Sequence, residues 1–278
     1  MPGSRSSSAS IQARRDRILD LVLDRQQVPI PTLAALFDVS SMTMRRDLST
    51  LESQGFLLRR SGHAVAPPQL HVQTSAGFRR RAAVSIKEAV ARTALPLFAG
   101  VQSMLVDDST SALPLLSSLA TQAPQPLTVV TNYLDVVRLA AASNTMRAHL
   151  LGGDYVCDLD ATFGTACVEA VAGWHVDVFV SSVPAIENGR CYHPLPDSVA
   201  VKRAMLCAAD RRVLLLDHTK MPRTAPHLLC DVSAVDVVVV DSAVAEQQLA
   251  MLRATGVTVL VADGGRSEDA VVSTRTRT

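Results

Sequence analysis

"SMTMRRDLSTLESQG", residues 41–55, sets two arginines side by side, follows them with an aspartate and then resumes a regular apolar beat. On a helix, where successive side chains turn by about 100°, Met44, Leu48 and Leu51 fall on one narrow face, the signature of packing against a core. The other side carries Met42, Arg46, Ser49, Thr50 and Ser53, with Arg45 on its flank, and is long, polar and cationic. Ser40 stands where a hydroxyl caps a first turn, and Gly55 where a helix leaves through a left-handed residue. Asp47 falls nearer the buried face, so it suits orienting or pairing an arginine rather than meeting a ligand.

The neighbouring segments give this helix a setting. "RRDRILDLVLDRQQ" (14–27) places Ile18, Leu21, Val22 and Arg25 on a helical repeat, which predicts a first helix over 11–25. "PTLAALF" (31–37) is a short second helix opening on Pro31, a residue favoured in the first helical turn, and "DVS" (38–40) makes the turn that follows. Two helices joined by a short turn, the second exposing a cationic face, form a helix-turn-helix unit. "FLLRRSGHAV" (56–65) reads as two extended runs around Ser61-Gly62, a hairpin wing carrying Arg59 and Arg60. The major groove admits one α-helix, whose residues reach base edges while flanking arginines and hydroxyls contact phosphates. The candidates for contact with double-stranded operator DNA are therefore Ser40, Met42, Thr43, Arg45, Arg46, Ser49, Thr50, Arg59 and Arg60.

Charge is distributed to match. Residues 1–81 hold 12 Arg, no Lys and 6 acids, whereas the rest of the 278-residue chain holds 15 basic residues against 20 acidic ones, so a polyanion partner belongs to the N-terminal part. With 48% hydrophobic and 19% charged residues, the composition is that of a soluble globular protein with room for two domains. The first ten residues contain no apolar segment of a signal peptide, and the richest run, "VDVVVVD" (235–241), is too short to span a membrane. Five scattered cysteines without a C-x-x-C pair suit a reducing cytoplasm and argue against a structural zinc site. No cofactor is expected.

Over residues 14–65 the chain resembles the winged helix-turn-helix of the DeoR family of bacterial repressors, whose hallmark is V-S-x-x-T-[IM]-R-R-D-L followed by x-x-L-x-x-x-G. Val39, Ser40, Thr43, Met44, Arg45, Arg46, Asp47, Leu48, Leu51 and Gly55 all match. The wing departs from it: Ser61, Gly62 and His63 replace His-Gly-Gly.

Beyond the two prolines of "APPQLHVQTSAGF" (66–78) the pattern changes. An amphipathic helix is predicted over 82–99, then strand-like Val/Leu runs at 103–107, 127–132, 148–153, 176–183, 212–217, 235–241 and 257–263, separated by helices. Such runs imply a mostly parallel sheet covered on both faces. The expected class is thus α/β: tail 1–10, winged helix-turn-helix 11–66, linker 67–78, a parallel α/β domain for effector binding and oligomerisation at 79–264, and tail 265–278.

In an open α/β sheet, ligands bind beyond the carboxyl ends of the strands, where this chain puts Asp107, Asp108, Ser109, Thr110, Ser111, Asn132, Gly152, Gly153 and the run Asp217 to Lys220. Hydroxyls at a helix start and Lys220 suit a phosphate; Asp107, Asp108 and Asn132 suit sugar hydroxyls. The order V-D-x-x-T, T-V-V-T-N, L-L-G-G, V-K-R-A-M and L-L-D-x-x-K is similar to the DeoR family's effector domain. That resemblance implies a fold related to ribose-5-phosphate isomerase, a phosphorylated sugar or sugar derivative as ligand, and Lys202 as a further effector contact. Two glycine positions depart: the family's D-x-G-T-T is Asp107-Asp108-Ser109-Thr110-Ser111 here, and its G-x-x-G is Ser181-Ser182-Val183-Pro184, which predicts an altered effector or a weakened response.

The expected function is a DNA-binding repressor of a carbohydrate operon, acting as a homo-oligomer, dimer or tetramer, without catalysis. The rival is an isomerase-like enzyme using Asp107, Asp108 and Lys220 as acid and base, with a DNA-binding module attached. A metal sensor built on His218, His227 and Cys230 fits no compact ligand spacing.

Overall fold

The computed structural model describes residues 8–53, 56–66, 76–122 and 126–262. The expected helix end at Gly55, most of the linker and the C-terminal tail lie outside them.

The N-terminal unit runs α1 (Ser8–Arg25), β1 (Gln27–Pro29), α2 (Ile30–Leu36), α3 (Ser41–Ser53), β2 (Leu58–Arg60) and β3 (His63–Val65). Helix α1 starts inside the expected tail. Ile18, Leu19 and Val22 of α1, Leu33 of α2 and Met44, Leu48 and Leu51 of α3 are buried together with Phe56, Leu57 and Ala64. The strands form one antiparallel sheet in the order β1-β3-β2. The wing turn has Ser61 at φ 47° and Gly62 at φ 78°, the two positive values that let a two-residue hairpin follow the strand twist. Strand β1 was not expected, because "QVP" has no pattern of its own and is a strand only through β3.

The predicted helix over 82–99 is in fact two helices and a tight turn. Helix α4 (Ala76–Arg81) begins inside the expected linker, Ala83 breaks the chain with φ 54°, and α5 (Val84–Ala94) ends in a 3-10 turn at Leu95–Phe98. There follow β4 (Ser103–Val106), α6 (Leu113–Gln122), β5 (Leu127–Thr131), α7 (Leu134–Ala141), β6 (Met146–Leu150), β7 (Asp154–Val156), β8 (Ala161–Phe163), α8 (Thr165–Val171), β9 (Val176–Ser181), β10 (Ala185–Glu187) and β11 (Arg190–His193). The chain continues with α9 (Pro196–Cys207), β12 (Ala209–Leu215), β13 (His227–Asp231), β14 (Val237–Asp241), α10 (Glu246–Ala254) and β15 (Thr258–Ala262).

All seven predicted runs are strands of one sheet in the order β15-β14-β12-β9-β4-β5-β6, and every pairing in it is parallel. Alternate residues explain their continuous apolarity. Val213, Leu215, Val237 and Val239 enter one buried cluster, and Leu214, Val238 and Val240 the other, so both faces are packed. The β7–β8 hairpin and the antiparallel β10-β11-β13 sheet were not foreseen. From β4 the strand order proceeds one way through β5 to β6, and from β9 the other way through β12 to β15. The switch point between β4 and β9 opens a crevice at their carboxyl ends.

Candidate functional sites

The DNA-facing candidates sit on a helix held from behind. The Ser40 hydroxyl accepts the Thr43 N–H at 3.1 Å and lies 2.9 Å from the Thr43 hydroxyl, capping α3. The Thr50 hydroxyl donates to the Arg46 carbonyl at 3.1 Å. Buried Asp47 pairs with two arginines of α1, not with its neighbours: Arg14 Nη2 lies 2.7 Å from Oδ2 and Arg15 Nε 2.8 Å from Oδ1. That clamp locks α1 across α3 and leaves Arg45 and Arg46 exposed, their side chains without a hydrogen bond or ion pair to any described residue. Met42 is 72% exposed, and Ser49 is exposed beside it. In the wing, Arg60 is exposed and its side chain has no hydrogen bond or ion pair among the described residues. Arg59 is engaged: its Nε donates to Glu52 Oε2 at 2.6 Å and its backbone N–H to Oε1 at 2.9 Å. These bonds, the backbone one foremost, hold the Glu52 carboxyl below its usual range and fasten the wing to α3.

The second site is a cavity of about 460 Å³ at the switch point, a volume suited to a small metabolite. The loop after β4 (Asp108 to Ser111), the loop after β9 (Ser182 to Pro184), the segment after β12 (Asp217 to Lys220), His193, Lys202 and Arg223 line it, together with Phe78, Arg79 and Lys87 from α4 and α5. Leu21, Gln26 and Ala66 of the N-terminal unit close one side.

Beneath the cavity lies a fixed polar floor. Asp107 is fully buried and outside the lining. Its carboxylate accepts Lys202 Nζ at 2.5 Å, the Ser181 hydroxyl, and the Ser109 N–H at 3.0 Å. Asp107 is therefore corrected from sugar contact to anchor of Lys202. Lys202 also lies 3.5 Å from Asp108 and donates to Ser109 Oγ and the Ser182 carbonyl, each at 3.3 Å. Ser109 Oγ accepts the Ser182 N–H at 2.9 Å and donates to the Ser182 carbonyl at 3.2 Å, stitching the two loops together.

Charge in the cavity is uneven. Burial pushes the Asp108 carboxyl up, but Lys202 and Arg79 outweigh it and lower it to about 2. Burial likewise raises Asp217, and Lys220 with the Thr219 hydroxyl brings it below its usual range. His193 is driven down to about 3 by burial and by Lys202, so its ring is neutral. Its Nδ1 accepts the Leu195 N–H at 3.1 Å, which leaves Nε2 to carry the proton, 3.3 Å from the Ser198 hydroxyl. Against the carboxylates of Asp108 and Asp217 stand the cations Arg79, Lys87, Lys202, Lys220 and Arg223.

Thus Asp108, Ser109, Thr110, Ser111, Lys202 and Lys220 meet at the cavity, whereas Asn132, Gly152 and Gly153 do not line it. Asn132 is fully buried and donates to the Thr162 carbonyl at 2.8 Å. Gly153 serves packing, since with φ 129° a Cβ there would lie 2.3 Å from the Phe163 carbonyl. Arg79, Lys87, His193 and Arg223 are additions, carried by elements other than the predicted strand ends.

Comparison with known proteins follows this division. The description "DeoR-like helix-turn-helix domain" matches residues 14–69 and "DeoR C terminal sensor domain" residues 82–242. The chain is 27% identical over 235 residues to "Transcriptional repressor AccR" of Agrobacterium fabrum, covering 84% of this chain and 90% of that protein. It is 27% identical over 234 residues to the "Glycerol-3-phosphate regulon repressor" of Escherichia coli, covering 82% and 90% respectively. Among solved structures, ribose 5 phosphate isomerase A from Neisseria gonorrhoeae is similar at 11% identity and a TM-score of 0.34, over 49% of this chain and 53% of that one. That score is too low to add to the topology already described.

Proposed function

Because the chain belongs to the DeoR family of DNA-binding transcriptional regulators, with a helix-turn-helix domain and a C-terminal sensor domain, we propose that it represses a carbohydrate operon and responds to a phosphorylated sugar-type effector. The observation that carries the effector class is the cavity at the switch point. Five cationic side chains there face two carboxylates, which leaves a local excess of positive charge for a phosphoryl group. The Asp108 and Asp217 carboxylates then serve the sugar hydroxyls. The two relatives, both named repressors, support the direction of control.

Sensing is preferred to turnover. An isomerase needs a carboxylate free to carry a proton between adjacent carbons, whereas Asp107 is spent on Lys202, Ser181 and Ser109, and Asp108 is held ionised by Lys202 and Arg79. The protein acts as a homo-oligomer on a symmetric operator. Among the described residues no helix is long and apolar enough to cross a membrane.

The test is recovery of genomic fragments on the pure protein, then gel shift of those fragments with ribose 5-phosphate, glycerol 3-phosphate and glucosamine 6-phosphate. Selective fragments released by one phosphorylated compound are expected. Absence of selective fragments overturns the DNA assignment, and turnover of any probe overturns the sensor assignment. Lower expression of the neighbouring genes on deletion would make the protein an activator.

A further inference from the structure

Helix α4 is only six residues long, and its residues bind both parts of the molecule. Ala76 is buried in the core of the α/β domain, and its N–H donates to the Asp158 carbonyl at 2.6 Å. Arg80 pairs with Asp135. In the other direction, the Phe78 ring lies 5.7 Å from that of Phe56, tilted by 53°, and the Arg81 guanidinium sits 5.3 Å over the same Phe56 ring. Phe56 follows α3 closely, donates its N–H to Leu51 at 2.8 Å and is buried with Leu48 and Leu51. One short helix thus touches both the cavity and the base of the DNA-facing helix.

Phe78 and Arg79 of α4 line the cavity, and Arg79 brings the charge. Its Nη1 donates to the Asp108 carbonyl at 2.8 Å and lies 3.2 Å from Asp108 Oδ2. Its carbonyl accepts Lys87 Nζ, and the Thr110 hydroxyl at 3.1 Å. Its Nε and Nη2 are buried and have no hydrogen-bond partner. Those two donors form the edge of a guanidinium that grips a phosphate or carboxylate with two parallel bonds. Unpaired buried donors carry a free-energy cost, and a ligand anion removes it only while Arg79, and with it α4, stays in place.

We propose that a phosphorylated ligand in the cavity docks on the Nε–Nη2 edge of Arg79, and that α4 relays its presence to the recognition helix through Phe78 and Arg81 on Phe56. This rests on the effector reading of the preceding subsection. It meets the requirement that a ligand shift an equilibrium only through contacts that differ between the two states. Here the differing contact is the Arg79 edge, and the moving part is the helix that carries Phe78.

The test uses the full-length protein and DNA selected on it from a random-sequence pool. Calorimetry reads binding of ribose 5-phosphate, glycerol 3-phosphate, inorganic phosphate and unphosphorylated ribose, and anisotropy reads DNA affinity with and without each probe. For the wild type, at least one phosphorylated sugar or polyol is expected to bind, ribose is not, and DNA affinity shifts roughly 5- to 150-fold, the usual span of coupling between sites. Arg79→Gln should weaken that ligand by about tenfold or more. Arg81→Gln, outside the lining, should keep ligand affinity within about twofold while the DNA shift falls towards none; Phe78→Ala, whose ring also lines the cavity, is read at saturating ligand, where the DNA shift should likewise fall towards none. Unliganded DNA affinity near that of the wild type shows that each variant is folded. Arg79→Gln binding the ligand as well as the wild type, or both relay variants keeping the full shift, overturns the relay alone. Failure of every phosphorylated probe to bind the wild type overturns the effector reading and the relay with it.

Discussion

Lys202→Met tests the polar floor of the cavity. Lys202 is 2% exposed and its ammonium lies 2.5 Å from Asp107 and 3.5 Å from Asp108, themselves 0% and 3% exposed. At an effective dielectric of 20 the gross attractions are roughly 7 and 5 kcal/mol, most of which offsets the desolvation of three charges. Methionine nearly conserves volume, so the cavity contribution is small. What remains is the cost of two buried carboxylates losing their cation, about 3 to 5 kcal/mol. Trp174, the only tryptophan, lies in the α/β domain with its ring 4.9 Å from that of His149, so its fluorescence during urea unfolding reports this domain selectively. Asp107→Asn in the Lys202→Met background should recover part of the loss, because an uncharged side chain no longer needs the ammonium; the coupling in the cycle should reach about 2 kcal/mol. By contrast Lys220→Met, at a side chain 27% exposed and 3.6 Å from Asp217, should cost under about 1 kcal/mol in stability while weakening the ligand. A loss below about 1 kcal/mol for Lys202→Met, the range of a solvated surface pair, would refute the floor.

Arg46→Ala should weaken specific DNA binding by about 1 to 3 kcal/mol if its exposed guanidinium reads a base, and lower the salt slope if it contacts phosphate; unchanged operator affinity in a salt titration removes it from the interface. Ser109→Gly frees the Ser182 N–H now accepted at 2.9 Å; a released amide aimed at an anion should tighten phosphorylated ligands by roughly tenfold, and calorimetry showing no change across the sugar-phosphate panel counts against this. His193, lowered to about 3 when folded, takes up a proton near pH 6.5 when unfolded. The unfolded state therefore binds more protons between those values, and stability falls as pH drops through that window. From pH 6.5 to 5 the loss is about 2 kcal/mol, and it should be missing in His193→Asn; equal slopes for the two proteins in Trp174-monitored unfolding would contradict the assignment.

The elements legible in the sequence are those whose pattern reports their own burial. Strands such as Val237–Asp241 are covered on both faces and read as unbroken apolar runs, and α3 shows its buried stripe through Met44, Leu48 and Leu51. Strand β1 and the β10-β11-β13 sheet are short, and only distant partners make them strands. The break at Ala83 leaves no trace in a run that reads as helix on both sides. Strand-end polarity found Asp108 to Ser111 and Lys220, but it does not say which strands flank the switch point. Asn132 and the glycine pair follow β5 and β6, on the far side of β4 from β9, and so miss the cavity. Arg79, Lys87 and His193 escaped because they come from α4, α5 and the antiparallel sheet, whose approach to the strand ends is a tertiary fact.

The serines that replace the family's glycines change how an anion can be held. A glycine loop offers its backbone amides to a phosphate, yet here the Ser109 N–H is taken by Asp107 and the Ser182 N–H by Ser109 Oγ, while Pro184 has no N–H to give. Lys202, the cation nearest these loops, is neutralised by Asp107 and Asp108. The loop side of the cavity is thereby satisfied within the protein. Donors still available are the buried Nε and Nη2 of Arg79 and the side chain of Arg223, which has no hydrogen bond or ion pair among the described residues. On the proposed reading the ligand anion therefore sits on the Arg79 side chain of α4 rather than on the loop amides. The departure that predicted an altered effector also moves the recognition of charge onto the helix that touches the DNA-binding unit.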